Sequence, residues 1–313
     1  MKRIAFMFPG QGSQKVGMGK AFYDESDEVK QLYEAANDAL QFDLKQLMFE
    51  GPQEDLTLTE NAQPALLLSS YAAYMALQKA GIEADMVLGH SLGEYSALTV
   101  ADTFEIKDAL RLVQKRGQLM EAALPKGQGT MAAVLGLSAE EIEEVIQSLP
   151  EEEVVNLANL NCPGQIVISG SKKGIDLLME PLKEKGARRV LPLNVSGPFH
   201  SSYMKAASEE FAQFLEGIET KDAKIPVYAN VTAEAVQDQE TIKQLLVEQL
   251  YSSVRFEESI RQMIDKGIDA FVEVGEGNVL CGLVRKIDRK TKTFAVNDQA
   301  SLDKFITWYK GEE

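Results

Sequence analysis

The stretch Asp85-Met-Val-Leu-Gly-His-Ser-Leu-Gly-Glu-Tyr-Ser-Ala-Leu98 decides how this chain is read. Three apolar residues make a short strand, Gly-x-Ser-x-Gly at 89–93 makes a sharp turn, and small residues then continue as a helix. Strand, glycine turn and helix in that order form a nucleophile elbow, which leaves the hydroxyl of Ser91 exposed at the top of a sheet. Gly89 and Gly93 relieve the crowding where strand meets helix. The turn pattern alone arises by chance in roughly one chain in ten at ordinary glycine usage, so the flanking elements carry the inference.

Outward from the elbow, short apolar runs alternate with helical patterns. Strands are predicted at 4–8, 86–88, 227–229, 270–274 and 293–296. Helices are predicted at 28–41, 62–80, 92–100, 106–123, 201–217, 239–250, 256–266 and 278–288. That alternation points to α/β units around a mostly parallel sheet. The middle of the chain has another rhythm. A strand at 131–137 is followed by a capping box, Ser138-Ala-Glu-Glu141, which opens a helix to about 149. Strands at 154–159 and 165–169, a helix at 172–185 ending at Gly186, and a strand at 189–195 complete a β-α-β-β-α-β series. The expected fold is therefore α/β: a large α/β-hydrolase-like domain with an inserted ferredoxin-like small subdomain. Its divisions are expected at 1–127 and 196–313 for the large part and 128–195 for the small one. The site is expected in the crevice between them, at the carboxyl ends of the large sheet's strands.

The composition is that of a globular protein, 45% hydrophobic and 26% charged, long enough at 313 residues for a sizeable core. A net charge of −16 argues against nucleic acid as a partner. No apolar run approaches the ~20 residues of a membrane span, so no membrane partner is expected. The five apolar residues near the N-terminus are too few for a signal-peptide core. Cys162 and Cys281 fit neither a CxxC pair nor a zinc spacing, and their number suits a reducing cytoplasm.

A serine hydroxyl needs a base, and the chain holds two histidines. His90 adjoins Ser91, and at so sharp a turn its side chain should point away. His200 follows a strand and the loop Ser196-Gly197-Pro198-Phe199, where catalytic groups collect, and elimination favours it. The amide of Leu92, just past Ser91 at a helix N-terminus, is the natural oxyanion donor. The glycine-rich loop Pro9-Gly-Gln-Gly-Ser-Gln14 is neither a dinucleotide fingerprint nor a P-loop. It reads either as an ordinary tight turn or as a source of a second oxyanion donor, the Gln11 amide. Arg116 falls on the apolar arc of helix 106–123, where a guanidinium is seldom left without a partner. It reads either as half of an internal ion pair or as a clamp for a substrate carboxylate.

Together these segments resemble the malonyl-CoA:acyl carrier protein transacylase family over nearly the whole chain. The landmarks are Phe8-Pro-Gly-Gln-Gly-Ser-Gln14, Asn61-Ala-Gln-Pro64, Gly89 to Ala97, Arg116-Gly-x-x-Met120, Asn159-x-Asn-x-Pro163, Gly197-Pro-Phe-His-Ser201 and Gln249-Leu-Tyr251. The resemblance implies a malonyl-serine intermediate at Ser91, with His200 as base and acid. Arg116 would grip the malonyl carboxylate, the amides of Gln11 and Leu92 would form the oxyanion hole, and the Gln249 carbonyl would orient His200. It implies malonyl-CoA and the phosphopantetheine arm of acyl carrier protein as partners, with no metal or other cofactor. Phe199-His200 matches the pattern for malonyl over methylmalonyl units. Pro198, Ser253, Glu276 and Asn278 depart from the family pattern, the last two in a loop near the thioester entrance. Candidate carrier contacts are Arg188, Arg189, Lys286, Arg289 and Lys290. Three alternatives compete: an acyltransferase of a polyketide pathway, a serine esterase or thioesterase, and a non-catalytic carrier-docking module.

Overall fold

The computed structural model describes residues 2–311. Among them the strands, in chain order, are β1 (Ile4–Phe8), β2 (Met86–Gly89), β3 (Gly129–Leu135), β4 (Val155–Cys162), β5 (Gln165–Ser171), β6 (Arg189–Pro192), β7 (Val227–Tyr228), β8 (Ala235–Val236), β9 (Ala270–Val274) and β10 (Lys292–Val296). The larger sheet has the order β10-β9-β1-β2-β7-β8. Its first five strands are parallel and only β8 pairs antiparallel.

All five residues of β1 are buried, as a central parallel strand covered on both faces requires. Side chains alternate across a strand, so Ile4, Phe6 and Phe8 join one core while Ala5 and Met7 join another. Helices Thr59–Lys79 and Ile106–Ala122 pack on the first side, and helices Phe256–Asp265 and Val279–Ile287 on the second.

The smaller sheet is antiparallel with the order β4-β5-β3-β6. That order, with a helix after β3 and another after β5, is the ferredoxin-like arrangement. Its own core is built from Ile142, Ile168, Leu178 and Leu182 among others. The Ser138–Glu141 capping box forms as expected. β4 is tied to the large part at Val254, which lies outside both sheets: the Leu160 amide donates to the Val254 carbonyl (2.9 Å), and the Val254 amide to the Ala158 carbonyl (2.8 Å).

Several elements differ from expectation. β6 stops at Pro192, three residues early, which frees residues 193–195 to line the crevice. β4 runs on to Cys162 through two register shifts. The helices Lys20–Glu25, Leu44–Glu50, Gln53–Thr57 and Gln299–Lys310 were not expected. Among the described residues no helix is long and apolar enough to cross a membrane.

Candidate active site

The register of the large sheet assembles the site. Phe8 pairs with Gly89, so the chain leaves β1 into the Gln11 loop beside the point where it leaves β2 into the Ser91 turn. Gly89 and Gly93 allow the turn because a Cβ on Gly89 would overlap the Gly93 carbonyl, and one on Gly93 would overlap the Phe8 carbonyl. Ser91 sits at φ +52°, a left-handed conformation that costs a non-glycine residue energy. Asn230, just beyond β7, holds the turn. The Ser91 amide donates to Asn230 Oδ1 (2.8 Å), and Asn230 Nδ2 donates to the Gly89 carbonyl (2.7 Å).

Ser91 Oγ lies 2.8 Å from His200 Nε2, and His200 Nδ1 lies 2.8 Å from the Gln249 carbonyl oxygen. A carbonyl can only accept, so the ring proton sits on Nδ1 and the Nε2 lone pair faces the serine hydroxyl. His200 also holds a left-handed backbone, φ +59°. Burial, aided by the nearby Arg116 charge, pushes its pKa down to about 3. The ring is therefore neutral at ordinary pH, with its Nε2 lone pair unprotonated. His90 points elsewhere: its Nε2 pairs with Asn161 Oδ1 (2.7 Å) and its ring packs against Phe256.

Arg116 is 1% exposed, a guanidinium almost wholly removed from water. Nη1 donates to Gln63 Oε1 (2.9 Å), while Nη2 donates to Gln249 Oε1 (2.9 Å) and to Ser91 Oγ (3.2 Å). The group lies 5.1 Å from the centre of the Tyr95 ring. Among the described residues no carboxylate comes within 4 Å of it, and its Nε has no partner. An internal ion pair, one of the two readings open from sequence, is not what the structure holds. A buried charge met only by neutral amides and a hydroxyl is ready for an incoming anion.

Among the described residues the Gln11 and Leu92 amides find no acceptor. Both lie beside Ser91, at the ends of β1 and β2. A cavity of about 130 Å³ opens here, lined by Gln11, His90, Ser91, Met120, Phe199 and His200 among others. At ~30 Å³ per water it has room for about four, a volume suited to a short acyl group.

The sequence reading missed Gln63, Glu94 and Asn230. Gln63 lies within the Asn61–Pro64 landmark, which by itself points to no role. Glu94 stood out as the one ionisable carboxylate in helix Gly93–Val100, which is buried at all eight positions. Asn230 carried the weaker signal of a polar residue just past a strand's carboxyl end. Farther out, Arg188, Arg189 and Lys286 line one surface cleft of about 430 Å³, without Arg289 or Lys290. Glu276, one of the departures, forms an ion pair with Lys15 (2.7 Å), tying its loop to the glycine-rich loop.

Comparison with known proteins gives the family. Residues 5–297 match the acyl transferase domain. The malonyl CoA-acyl carrier protein transacylase of Bacillus subtilis (strain 168) is 50% identical over 313 residues, covering all of this chain and 99% of that one. An acyl carrier protein S-malonyltransferase structure from Vibrio cholerae superposes with a TM-score of 0.95 at 43% identity, covering 97% and 100% of the two chains. A malonyl-transacylase solved with its type II PKS acyl-carrier protein superposes equally well, TM-score 0.95, at 40% identity over 99% and 100%. This chain belongs to the acyl transferase family, among its malonyl CoA-acyl carrier protein transacylases.

Proposed function

We propose that this chain transfers malonyl from malonyl-CoA to the phosphopantetheine thiol of an acyl carrier protein through a malonyl-serine intermediate. The observation that carries this reading is one hydroxyl, Ser91 Oγ, held between a neutral imidazole at 2.8 Å and a buried guanidinium at 3.2 Å that has no carboxylate of its own. The imidazole activates the hydroxyl, and the guanidinium selects an acyl group with a free carboxylate.

In the first half-reaction His200 Nε2 takes the Ser91 proton as Oγ bonds to the thioester carbon. The oxyanion is received by the amides of Gln11 and Leu92, each such donor contributing about 3 kcal/mol. The carbon–sulfur bond then breaks, and the CoA thiolate leaves with the proton held by His200. In the second half the carrier thiol gives its proton to His200 and attacks the malonyl ester, and Ser91 regains its proton. The Gln249 carbonyl keeps His200 in the productive tautomer throughout, in place of a third acid. Arg116 moves from Ser91 Oγ to the malonyl carboxylate as the acyl group arrives.

The carrier docks on the cleft of Arg188, Arg189 and Lys286, a local positive patch on an acidic protein. The chain works in the cytoplasm, which suits a CoA substrate and two buried free thiols. It divides at 127/128 and 195/196, since the strands of the small sheet fall between those points. The reading is tested by initial rates with malonyl-CoA and a pantetheinylated carrier. Parallel double-reciprocal lines and little free malonate are expected. Malonate release as fast as transfer would mean a thioesterase instead. The polyketide alternative is separated by offering fatty-acid and polyketide carriers in parallel.

A further inference from the structure

Glu94 is a buried carboxylate for which the mechanism above has no use. It is 2% exposed, on the first turn of the helix that follows Ser91. Burial pushes its pKa up to about 7, so keeping it there has a cost that its contacts must explain. One oxygen, Oε2, accepts from Gln249 Nε2 (2.7 Å) and from the Asn230 amide (3.1 Å).

Gln249 is fully buried and its side chain could sit either way round. In the observed orientation Nε2 faces three oxygens: Glu94 Oε2, the Ser91 carbonyl (3.0 Å) and Asn230 Oδ1 (3.1 Å). Oε1 thereby faces the Arg116 guanidinium at 2.9 Å. Reversed, the amide would set its oxygen against those three acceptors and its NH2 against a cation. The shortest of the three contacts, and the only one to an ionisable group, is Glu94. The carboxylate therefore fixes which end of Gln249 meets Arg116, and so the direction in which the Arg116 guanidinium is presented.

We propose that Glu94 is a positioning residue for acyl selectivity: it orients the Gln249 amide, which in turn aims Arg116 at the carboxylate of the acyl group. This rests on the malonyl-transfer reading. The tie to His200 runs instead through the Gln249 backbone carbonyl, which a side-chain change leaves in place. Selectivity should thus suffer more than acylation itself.

The test is a double-mutant cycle read as rates of Ser91 acylation by malonyl-CoA and by acetyl-CoA. Glu94→Leu should lower the malonyl-to-acetyl ratio by about tenfold, the scale of one lost hydrogen bond to a charged group. Gln249→Leu should lower it as much, and the double variant no further, within twofold, because residues in one network do not add. Glu94→Gln, whose amide oxygen accepts the same two hydrogen bonds, should hold the ratio within threefold. Where thermal melting shows Glu94→Leu unfolded at the assay temperature, Glu94→Ser, too short to reach Gln249, replaces it in the cycle. Equal losses for both acyl groups, additive single effects, or a collapsed ratio in Glu94→Gln would each overturn the proposal. If the parent protein itself forms no malonyl-serine, the functional reading fails rather than the role of Glu94.

Discussion

Replacing Arg116 by alanine should separate two substrates that differ only by a carboxylate. The guanidinium is buried, meets Gln63, Gln249 and Ser91, and has no carboxylate within 4 Å among the described residues. A malonyl carboxylate brought to it leaves water and gains charge-assisted hydrogen bonds. Without the arginine that carboxylate is left unpaired, and breaking a buried pair from one side costs about 3–5 kcal/mol. At ~1.4 kcal/mol per decade, malonyl acylation should slow by roughly two to three and a half orders of magnitude. Acetyl carries no such charge. It loses only the 3.2 Å hydrogen bond on Ser91 Oγ, while His200 recovers basicity as a neighbouring cation disappears. Its acylation should stay within about tenfold of the parent. Rapid-quench acylation with malonyl-CoA and acetyl-CoA separates these outcomes. Arg116→Met, which fills more of the vacated volume, controls for collapse of the site and should show the same split. Equal loss for both acyl groups would refute the clamp.

Acid stability should carry the signature of His200. Its folded pKa of about 3 lies below the unfolded value near 6.5, so the native state binds fewer protons between those limits. Its contribution is complete above pH 6.5 and lost as pH falls, roughly 2 kcal/mol by pH 5. Urea unfolding of His200→Ala against the parent should show the variant gaining about that much between pH 7.5 and 5, and a pH-independent difference would contradict it. Gly93→Ala should cost about 1–3 kcal/mol through overlap with the Phe8 carbonyl, and should slow acylation by displacing Ser91; an unchanged melting temperature would count against the close packing. Lys286→Glu should raise the KM for the carrier and flatten its salt dependence while leaving acylation by malonyl-CoA alone; an unchanged carrier KM would remove the cleft from the docking surface.

Much of the fold was legible because it is written in local periodicity. The run Ile4–Phe8 and the change of rhythm between 128 and 195 are patterns of neighbours along the chain, and they lead directly to two sheets. What was missed had weaker local signals. Helices Lys20–Glu25 and Gln53–Thr57 are too short to show a period. Helix Gln299–Lys310 could have been found, since Asp298 and Ser301 make a capping box and Leu302, Phe305 and Trp308 share one face. At the site, the elbow is a local pattern and Arg116 betrayed itself by standing on an apolar arc. Glu94 and Asn230 carried local signals but no readable role, because their meaning lies in contacts across more than 130 residues of chain, such as Asn230 with Ser91 and with Glu94. The identity of the acyl group came from resemblance. No spacing in the sequence states that the partner of a buried arginine is malonyl.

In the proposed mechanism Ser91 carries the malonyl group. Intact-mass measurement after mixing with malonyl-CoA, without any carrier, tests it most directly. A single malonyl adduct is expected, mapping to the Ser91 peptide, absent in Ser91→Ala, and discharged when a pantetheinylated carrier is added. No adduct on the parent protein, or one that persists in Ser91→Ala, would contradict it.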